Sequence, residues 1–341
     1  MNTPSGISVA RWETSSRAFT GASAGLLVLL ALVPLGFGPN TTNKLTQLFI
    51  LVILAVMWNA LAGFAGLVSV GQQAFIGIGA YSTVLLADTA GVNAYLAVVL
   101  SAALAGAVSL PVSVLAFRLR GGQFAIGMWV IAETLRLIVT QINSLGGGTG
   151  KSLRATNVYE PAIRQAYTYW TALLVTALVL VVLVVLLRSR LGAALQAIRD
   201  NEVGAGSLGV RVLTAKRWIF LLAAVGCGAA GALVALNSLT VQPNSIFGVQ
   251  WSAYMIFMVL LGGIGTVEGP IVGALIFFVV QQQFADQGAW YLIGLGLLAI
   301  IVTLLAPRGL WGSVVDRFGL RLVPVGYTVR GLPPSAVQAE E

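Results

Sequence analysis

The sequence has no histidine, one cysteine, and few charged side chains, which make up 9% of its 341 residues. The single Cys227 excludes a disulfide framework, and the lack of histidine argues against a His/Cys metal site. The lack of histidine and the single cysteine also leave no obvious residues for the usual acid–base and metal chemistry of an intramembrane enzyme. Soluble domains carry about 25% charged residues, so this chain has too little charge to cover a water-facing surface. We predict a membrane protein that is not an enzyme and holds no cofactor and no metal.

Apolar residues are what the chain has in place of charge, with 58% hydrophobic residues and a mean hydropathy of +0.92. A membrane-spanning helix needs about 20 mostly apolar residues. The runs predict an all-α, polytopic transmembrane bundle of about ten spans. They lie at residues 19–37, 45–63, 69–87, 93–117, 123–143, 168–187, 217–237, 249–263, 269–286 and 289–306.

The basic residues orient these spans. The net charge of +8 comes from Lys and Arg in the gaps between apolar runs, which is a topology signal rather than a nucleic-acid-binding face. Because the gaps richest in Arg belong inside, both termini are predicted to be cytoplasmic. The first apolar run is interpreted as an uncleaved helix. The domains are then a cytoplasmic N-terminus (1–18), a transmembrane domain (19–306) with an inner loop (188–216), and a cytoplasmic tail (307–341).

Glycine is abundant in three places. Gly146 to Ser152 resembles a phosphate-binding loop, but Leu145 stands where the motif needs Gly and no buried strand precedes it. We interpret this loop as an outer segment able to contact a docking partner. The segments 63–79 and 262–273 echo each other, which raises the possibility of an inverted repeat, and either segment could be re-entrant.

The inner loop carries an amphipathic helix. Its apolar face is formed by Leu191, Leu195 and Ile198, and its polar face includes Arg199, Asp200 and Glu202. Such a helix suits a groove on another protein or the membrane interface, and the two acids argue against an anionic lipid surface. If a partner takes the apolar face, Asp at residues 195 and 198 uncouples that partner without unfolding the spans.

Polar residues inside the spans are candidates for a translocation path. Glu133 and Arg136 are three residues apart and are expected to pair and to face the bundle interior, either as a path lining or as a structural clamp. Ser69, Gln72 and Gln73 either line the path or satisfy the backbone of a broken helix. A stripe of small residues at Gly265, Gly269 and Gly273 predicts close helix packing.

Five motifs follow one another over residues 55–312: Trp58 to Tyr81; Arg118 to Gly121 with Phe124 to Ile126; Ala132-Glu133 with Arg136; Arg190 to Asp200 with Ala205 and Gly209; and Gly262 to Gly273 with Pro307 to Leu310. In this order and at this spacing they resemble the permeases of branched-chain amino acid ABC transporters, in particular the M-type subunit. Two departures from the family pattern, at Gly146–Thr149 and at Gln73, leave the transport class intact and the substrate open.

The resemblance implies a permease subunit of an ATP-driven importer in a bacterial inner membrane. Its partners would be a second permease, two cytoplasmic ATPases that dock on residues 188–209, and a periplasmic or surface substrate-binding protein; nucleic acid is not expected. Because relatives in this family carry urea, amides or aromatic acids, a permease for one of these substrates is an alternative. A secondary transporter driven by an ion gradient is a further alternative, although Glu133 is a thin basis for ion coupling. The sequence leaves open whether the permeases form a homodimer or a heterodimer.

Overall fold

The computed structural model describes residues 8–10, 14–284, 288–306, 308–318 and 328–330, and most of these residues are helical. The longer helices are α1 Thr14–Gly36, α2 Pro39–Ala65, α3 Gln73–Asp88, α4 Ala94–Ala116, α5 Gly122–Gln141, α6 Pro161–Leu187, α9 Val212–Ser238, α11 Gln250–Gly262, α12 Gly269–Phe284 and α13 Ala289–Leu305. The shorter elements are β1 Ser8–Ala10, β2 Lys151–Ser152, α7 Arg190–Asp200, α8 Glu202–Ser207, β3 Thr240–Val241, α10 Pro243–Ile246, α14 Gly309–Phe318, β4 Thr328–Arg330 and 3-10 turns at Asn143–Leu145, Gly147–Thr149 and Ala155–Val158.

Within the described residues, seven helical segments are long and apolar enough to cross a membrane. The multi-spanning helical class is therefore confirmed, whereas the count of about ten spans and the direction of the termini stay predictions. The difference comes partly from α3 and α12, which have 16 residues each. At about 1.5 Å per residue they are shorter than the roughly 30 Å hydrocarbon layer. The seven segments are Pro39–Ala65, Ala94–Ala116, Gly122–Gln141, Pro161–Leu187, Val212–Ser238, Pro243–Gly262 and Ile293–Val315.

Helices α2 and α9 form the centre of the bundle. Helix α2 is buried from Phe49 to Ala65 and packs against α6, α9, α11 and α12. Helix α9 packs against α3 and α4, and its approach to α3 is very close, because Gly79 lies against the carbonyl of Gly228 and Gly231 lies against the carbonyl of Ile76. Neither glycine has room for a Cβ atom. Small residues therefore allow the close backbone approach that stabilises helices in lipid.

Helix α1 is hydrogen-bonded to α6 next to a proline. Pro34 lies inside α1 and has no N–H, so it leaves the carbonyl of Leu30 without its helical partner. The Tyr169 hydroxyl donates to this carbonyl at 2.6 Å, and Trp170 Nε1 donates to the next carbonyl, that of Ala31, at 2.9 Å. A neighbouring helix thus satisfies the freed backbone group, as the membrane interior requires.

The chain is not helical between α2 and α3. Helix α2 ends at Gly66, which adopts the left-handed conformation with φ 68°, and residues 67–72 form no helix. The Trp58 indole donates to the Ser69 carbonyl at 2.8 Å. The glycine-rich segment between α11 and α12, residues 263–268, is likewise not helical. Both glycine-rich segments therefore interrupt the helical path, and residues 66–72 are called the broken helix below.

The two ends of the described chain meet. Strands β1 and β4 pair antiparallel, with Val9 opposite Val329, so the two ends of the described chain lie next to each other. Of the predicted N-terminus 1–18, residues 1–7 and 11–13 lie outside the described residues. Of the predicted tail 307–341, the structure describes 308–318 and 328–330.

Candidate translocation and coupling sites

The inner segment forms two consecutive capped helices. The Ser189 hydroxyl accepts the N–H of Leu191 at 3.1 Å at the start of α7. Asn201 Oδ1 accepts the N–H of Gly204 at 2.8 Å at the start of α8. These residue types favour helix starts because their side-chain oxygens satisfy unpaired backbone N–H groups. The segment is therefore well-defined local structure rather than a loose loop.

The apolar face of α7 turns toward the protein's own membrane helices. Leu195 is 0% exposed and Ile198 is 3% exposed, and Leu191 packs partly buried against the same core. Helix α7 contacts α2, α6 and α9. The expectation that this face fits a groove on a partner is thus corrected, because the chain itself covers it. Asp at residue 195 or 198 would place a charge in this core.

Two apolar residues missed by the sequence interpretation face outward from the same segment. Val203 is 80% exposed and Leu208 is 85% exposed, on either side of the glycines that end α8. Their signal in the sequence is their position: each is an apolar residue within a polar, glycine-rich stretch, out of phase with the Leu191, Leu195, Ile198 face. Together with Asp200 they form an outward surface, which we call the α7–α8 surface.

Charged side chains tie the inner segment to two long helices. Arg199 Nη1 donates to the Gly63 carbonyl at the end of α2 at 3.0 Å, and its Nε donates to Asp200 at 2.9 Å. Glu202 pairs with Lys216 of α9 at 2.7 Å. The predicted polar face therefore divides: Asp200 stays exposed, whereas Arg199 and Glu202 reach back to the bundle.

A single amide joins the end of α2 to the turn between α11 and α12. Asn59 is 1% exposed. Its Oδ1 accepts the N–H of Gly265 at 2.8 Å, and its Nδ2 donates to the Thr266 carbonyl at 2.7 Å. The sequence interpretation missed this contact, although Asn59 is a polar residue within an apolar run.

The glycine stripe has two roles rather than one. Gly269 and Gly273 lie on α12 with no room for a Cβ atom, and Gly273 abuts the carbonyl of Met258 on α11. Gly265 is not in a helix; it lies in the turn with φ 78°, a conformation that favours glycine. The prediction of close helix packing therefore describes Gly269 and Gly273, and Gly265 is a turn residue.

The predicted ion pair forms, but it lies on the exposed face of α5. Arg136 Nε donates to both Glu133 carboxylate oxygens at 3.0 Å, and Arg136 Nη1 donates to Asn244 Oδ1 at 2.6 Å. The Glu133 side chain is 46% exposed and that of Arg136 is 21% exposed. The expectation that the pair faces the interior of this chain's own bundle is therefore corrected. Most residues of α5 are not buried, among them Ile126 and Trp129.

The three polar residues at the broken helix are fully buried. The Ser69 hydroxyl accepts from the Gly71 N–H and from Gln72 Nε2, both at 3.3 Å, and Gln73 Nε2 donates to the Val70 carbonyl at 3.0 Å. Most of these bonds satisfy the backbone of residues 69–71, which is one of the two roles expected for them. Gln72 Oε1 has no hydrogen-bond partner among the described residues.

This cluster lies deep in the bundle. The Ser252 hydroxyl of α11 donates to Gln73 Oε1. Ser252 precedes the end of α11 at Gly262 by ten residues, which corresponds to about 15 Å of helix. The end of α2 lies level with that end of α11, because Asn59 joins them. The cluster therefore lies about 15 Å along the bundle from the turn between α11 and α12.

The outer segment is held by a carboxylate. Asp88 accepts from the N–H groups of Arg154 and Ala155 at 2.8–3.1 Å, and β2 pairs with β3. Asp88, Lys151, Arg154 and Ala155 line a cleft of about 690 Å³. Gly146 to Ser152 thus forms turns and a short strand instead of the strand–loop–helix of a nucleotide site.

Comparison with known proteins identifies related permeases. The chain is 28% identical over 311 residues to the high-affinity branched-chain amino acid transport system permease protein LivM of Escherichia coli (strain K12), covering 84% of this chain and 73% of that protein. The corresponding Salmonella typhimurium protein gives the same values. A probable branched-chain amino acid transport permease protein of Methanocaldococcus jannaschii is 26% identical over 166 residues, 48% of each chain. No solved structure matches.

The sequence model of one family covers most of the membrane region described above. It is the family described as branched-chain amino acid transport system / permease component, and it matches residues 40–306. This range runs from the start of α2 to the end of α13 and includes the broken helix, α5, the inner segment and both glycine-rich turns. The chain therefore belongs to the branched-chain amino acid transport permease family.

Proposed function

We propose that this chain is the permease subunit of an ATP-driven importer for branched-chain or related amino acids in a bacterial inner membrane. It acts with a second permease, two cytoplasmic ATPases and a periplasmic or surface binding protein. The observation that carries the proposal is the α7–α8 surface. It projects two apolar side chains, Val203 and Leu208, from a segment that is tied to α2 and α9.

The α7–α8 surface suits a soluble ATPase better than it suits lipid. Val203 and Leu208 supply apolar area, while the exposed Asp200, paired with Arg199, keeps a carboxylate on this surface that an anionic inner leaflet would disfavour. The segment is also anchored mechanically, so a push on it reaches the membrane helices. ATP-driven closure of the ATPases would then move the permeases as rigid bodies and alternate the access of the path.

The outer surface of α5 suits the second permease. A partly exposed Glu133–Arg136 pair in a membrane helix is costly against lipid, so it faces protein or a water-filled path. We assign α5 to the interface between the two permeases, with the pair on the translocation path. Ser69, Gln72 and Gln73 are placed behind it, because Gly71 lies against the backbone of Met128 in α5.

The outer cleft suits the substrate-binding protein. Lys151 and Arg154 line it, and such cationic side chains attract acidic surfaces. The binding protein, rather than this chain, would then make most of the choice among amino acids.

The test is reconstitution of this chain with its co-expressed neighbours into proteoliposomes. The expected result is uptake of leucine, isoleucine or valine that requires ATP inside and the binding protein outside. Import of urea, amides or aromatic acids instead would change the substrate and keep the class. Uptake by this chain alone, driven by an ion gradient, would refute the proposal.

A further inference from the structure

The end of α2 is the point where the inner segment and two membrane turns meet. The last carbonyls of a helix have no intrahelical partner, and Gly63 lies three residues before the C-cap Gly66. Arg199 supplies the missing donor from α7 at 3.0 Å. A cation is also favoured at a helix C-terminus, where the helix dipole is negative. The bond therefore joins a soluble-facing segment to the most buried helix of the bundle.

The connection continues across α2 to the turn between α11 and α12. One helical turn before Gly63, Asn59 binds the backbone of Gly265 and Thr266. Gly63 packs directly against the backbone of Gly265, so a Cβ atom on Gly63 would have no room. The Arg199 guanidinium also lies within van der Waals range of the position that a Cβ of Gly265 would take. One side chain of α7 thus binds one glycine-rich segment and lies close to the other.

We propose that Arg199 and Asn59 act as a latch that transmits movement of the α7–α8 surface to both glycine-rich turns. When a partner displaces α7, Arg199 pulls on the end of α2, and Asn59 carries the turn between α11 and α12 with it. The broken helix at residues 66–72 begins at the same point, so the displacement reaches the buried Ser69–Gln73 cluster. This inference rests on the proposed function and assigns its transmission step.

Arg199 is suited to transmission more than to stability. Its side chain is 38% exposed, whereas Leu195 and Ile198 on the same helix are buried and hold α7 on the bundle. Removing the guanidinium therefore leaves the packing of α7 in place. Arg199 is a positioning residue: it acts through the end of α2 and does not touch the transported molecule.

The experiment uses the complete complex in proteoliposomes and measures amino acid imported per ATP hydrolysed. Arg199→Met keeps the aliphatic part of the side chain and removes the donor. We expect the ATPases to co-purify with this variant at normal yield and to keep their basal hydrolysis. Import per ATP falls about tenfold, within the usual range of coupling between sites. Arg199→Lys, which keeps one donor, restores most of it.

Two comparisons make the result specific. Arg217→Met removes an exposed positive charge from α9 near the inner segment and leaves import per ATP unchanged. Asn59→Ala lowers import per ATP, and the Arg199→Met/Asn59→Ala double variant is no worse than the poorer single variant, because residues in one chain of contacts are not additive. If Asn59→Ala does not accumulate, the three arginine variants decide.

The failure of this inference differs from failure of the proposed function. A wild-type complex that does not couple ATP hydrolysis to amino acid import refutes the proposed function. A wild-type complex that imports, alongside an Arg199→Met complex with the same import per ATP, refutes the latch alone. Losses that add in the double variant also refute it. Equal losses in Arg199→Met and Arg217→Met would mean a general charge effect and no latch.

Discussion

Leu195 and Leu208 lie thirteen positions apart in the inner segment, and the structure predicts opposite consequences for changing them. Leu195 is 0% exposed, whereas Leu208 is 85% exposed. We expect Leu195→Ala to destabilise this chain and Leu208→Ser to weaken its binding to the ATPases. The sequence pattern alone predicts no loss of stability for Leu195→Ala, since it places the apolar face of α7 on a partner or on the membrane interface.

The magnitude for Leu195 follows from the atoms removed. Truncation to Ala removes three carbons at about 0.8 kcal/mol each, and the cavity left behind brings the usual cost to about 2–5 kcal/mol. The full water-referenced value applies because α7 has polar, exposed residues on its other side, so this segment meets water when it detaches. A lipid-facing leucine would lose far less, because lipid is as apolar as the protein core.

The magnitude for Leu208 follows from burial in a complex. An exposed side chain changes folding stability by within about 0.5 kcal/mol. If the ATPase covers Leu208, the serine variant loses about 1.5–3 kcal/mol of binding, which weakens association roughly tenfold to a hundredfold.

One thiol reports the stability. Cys227 is the single cysteine of the chain and is buried in α9, so a thiol-reactive fluorophore labels it as the bundle opens on heating. Leu195→Ala lowers the labelling temperature by several degrees, and Leu208→Ser leaves it unchanged but reduces the amount of ATPase that co-purifies. An unchanged labelling temperature for Leu195→Ala, or a lowered one for Leu208→Ser, would contradict the packing of α7 described above.

Three further predictions concern the membrane region. Glu133→Gln combined with Arg136→Gln is expected to lower amino acid uptake about tenfold or more at unchanged membrane abundance, because the proposed function assigns this pair to the translocation path; normal uptake by this double variant excludes that role. Gly273→Val destabilises the chain by about 1–3 kcal/mol or more, since its side chain meets a backbone carbonyl, and Gly294→Ala, in open space, serves as the control in the same thiol assay. Asp88→Ala frees two backbone N–H groups and speeds proteolysis of residues 150–160 in right-side vesicles; equal cleavage rates would show that this carboxylate does not hold the segment.

The helices and the membrane class are predictable from the sequence. The surface that packs against each apolar helix face is not. An apolar stripe such as Leu191, Leu195 and Ile198 specifies which residues leave water. It does not specify whether the same chain or a partner covers them. The covering depends on α2, α6 and α9, which are distant in sequence.

Polar contacts divide in the same way. The Glu133–Arg136 pair is predictable because both residues share one helix face, whereas the bond from Arg136 to Asn244 spans 108 residues and has no local pattern. Asn59 carried a usable signal, since a lone amide in an apolar span needs a partner. Its partners are backbone groups 206 and 207 residues further along, and no single sequence identifies them.

That separation sets an order of assembly during synthesis. Helix α2 enters the membrane early, with an amide at Asn59 that has no partner there yet. At about 5–20 residues per second, the ribosome reaches Gly265 and Thr266 roughly 10–40 s later. Throughout this interval the apolar surface of α2 tolerates lipid, but Asn59 does not, so the helix remains available to exchange neighbours until the turn before α12 arrives. The same amide that joins α2 to the turn before α12 in the folded protein thus leaves the packing of α2 incomplete until residues 265 and 266 have been made.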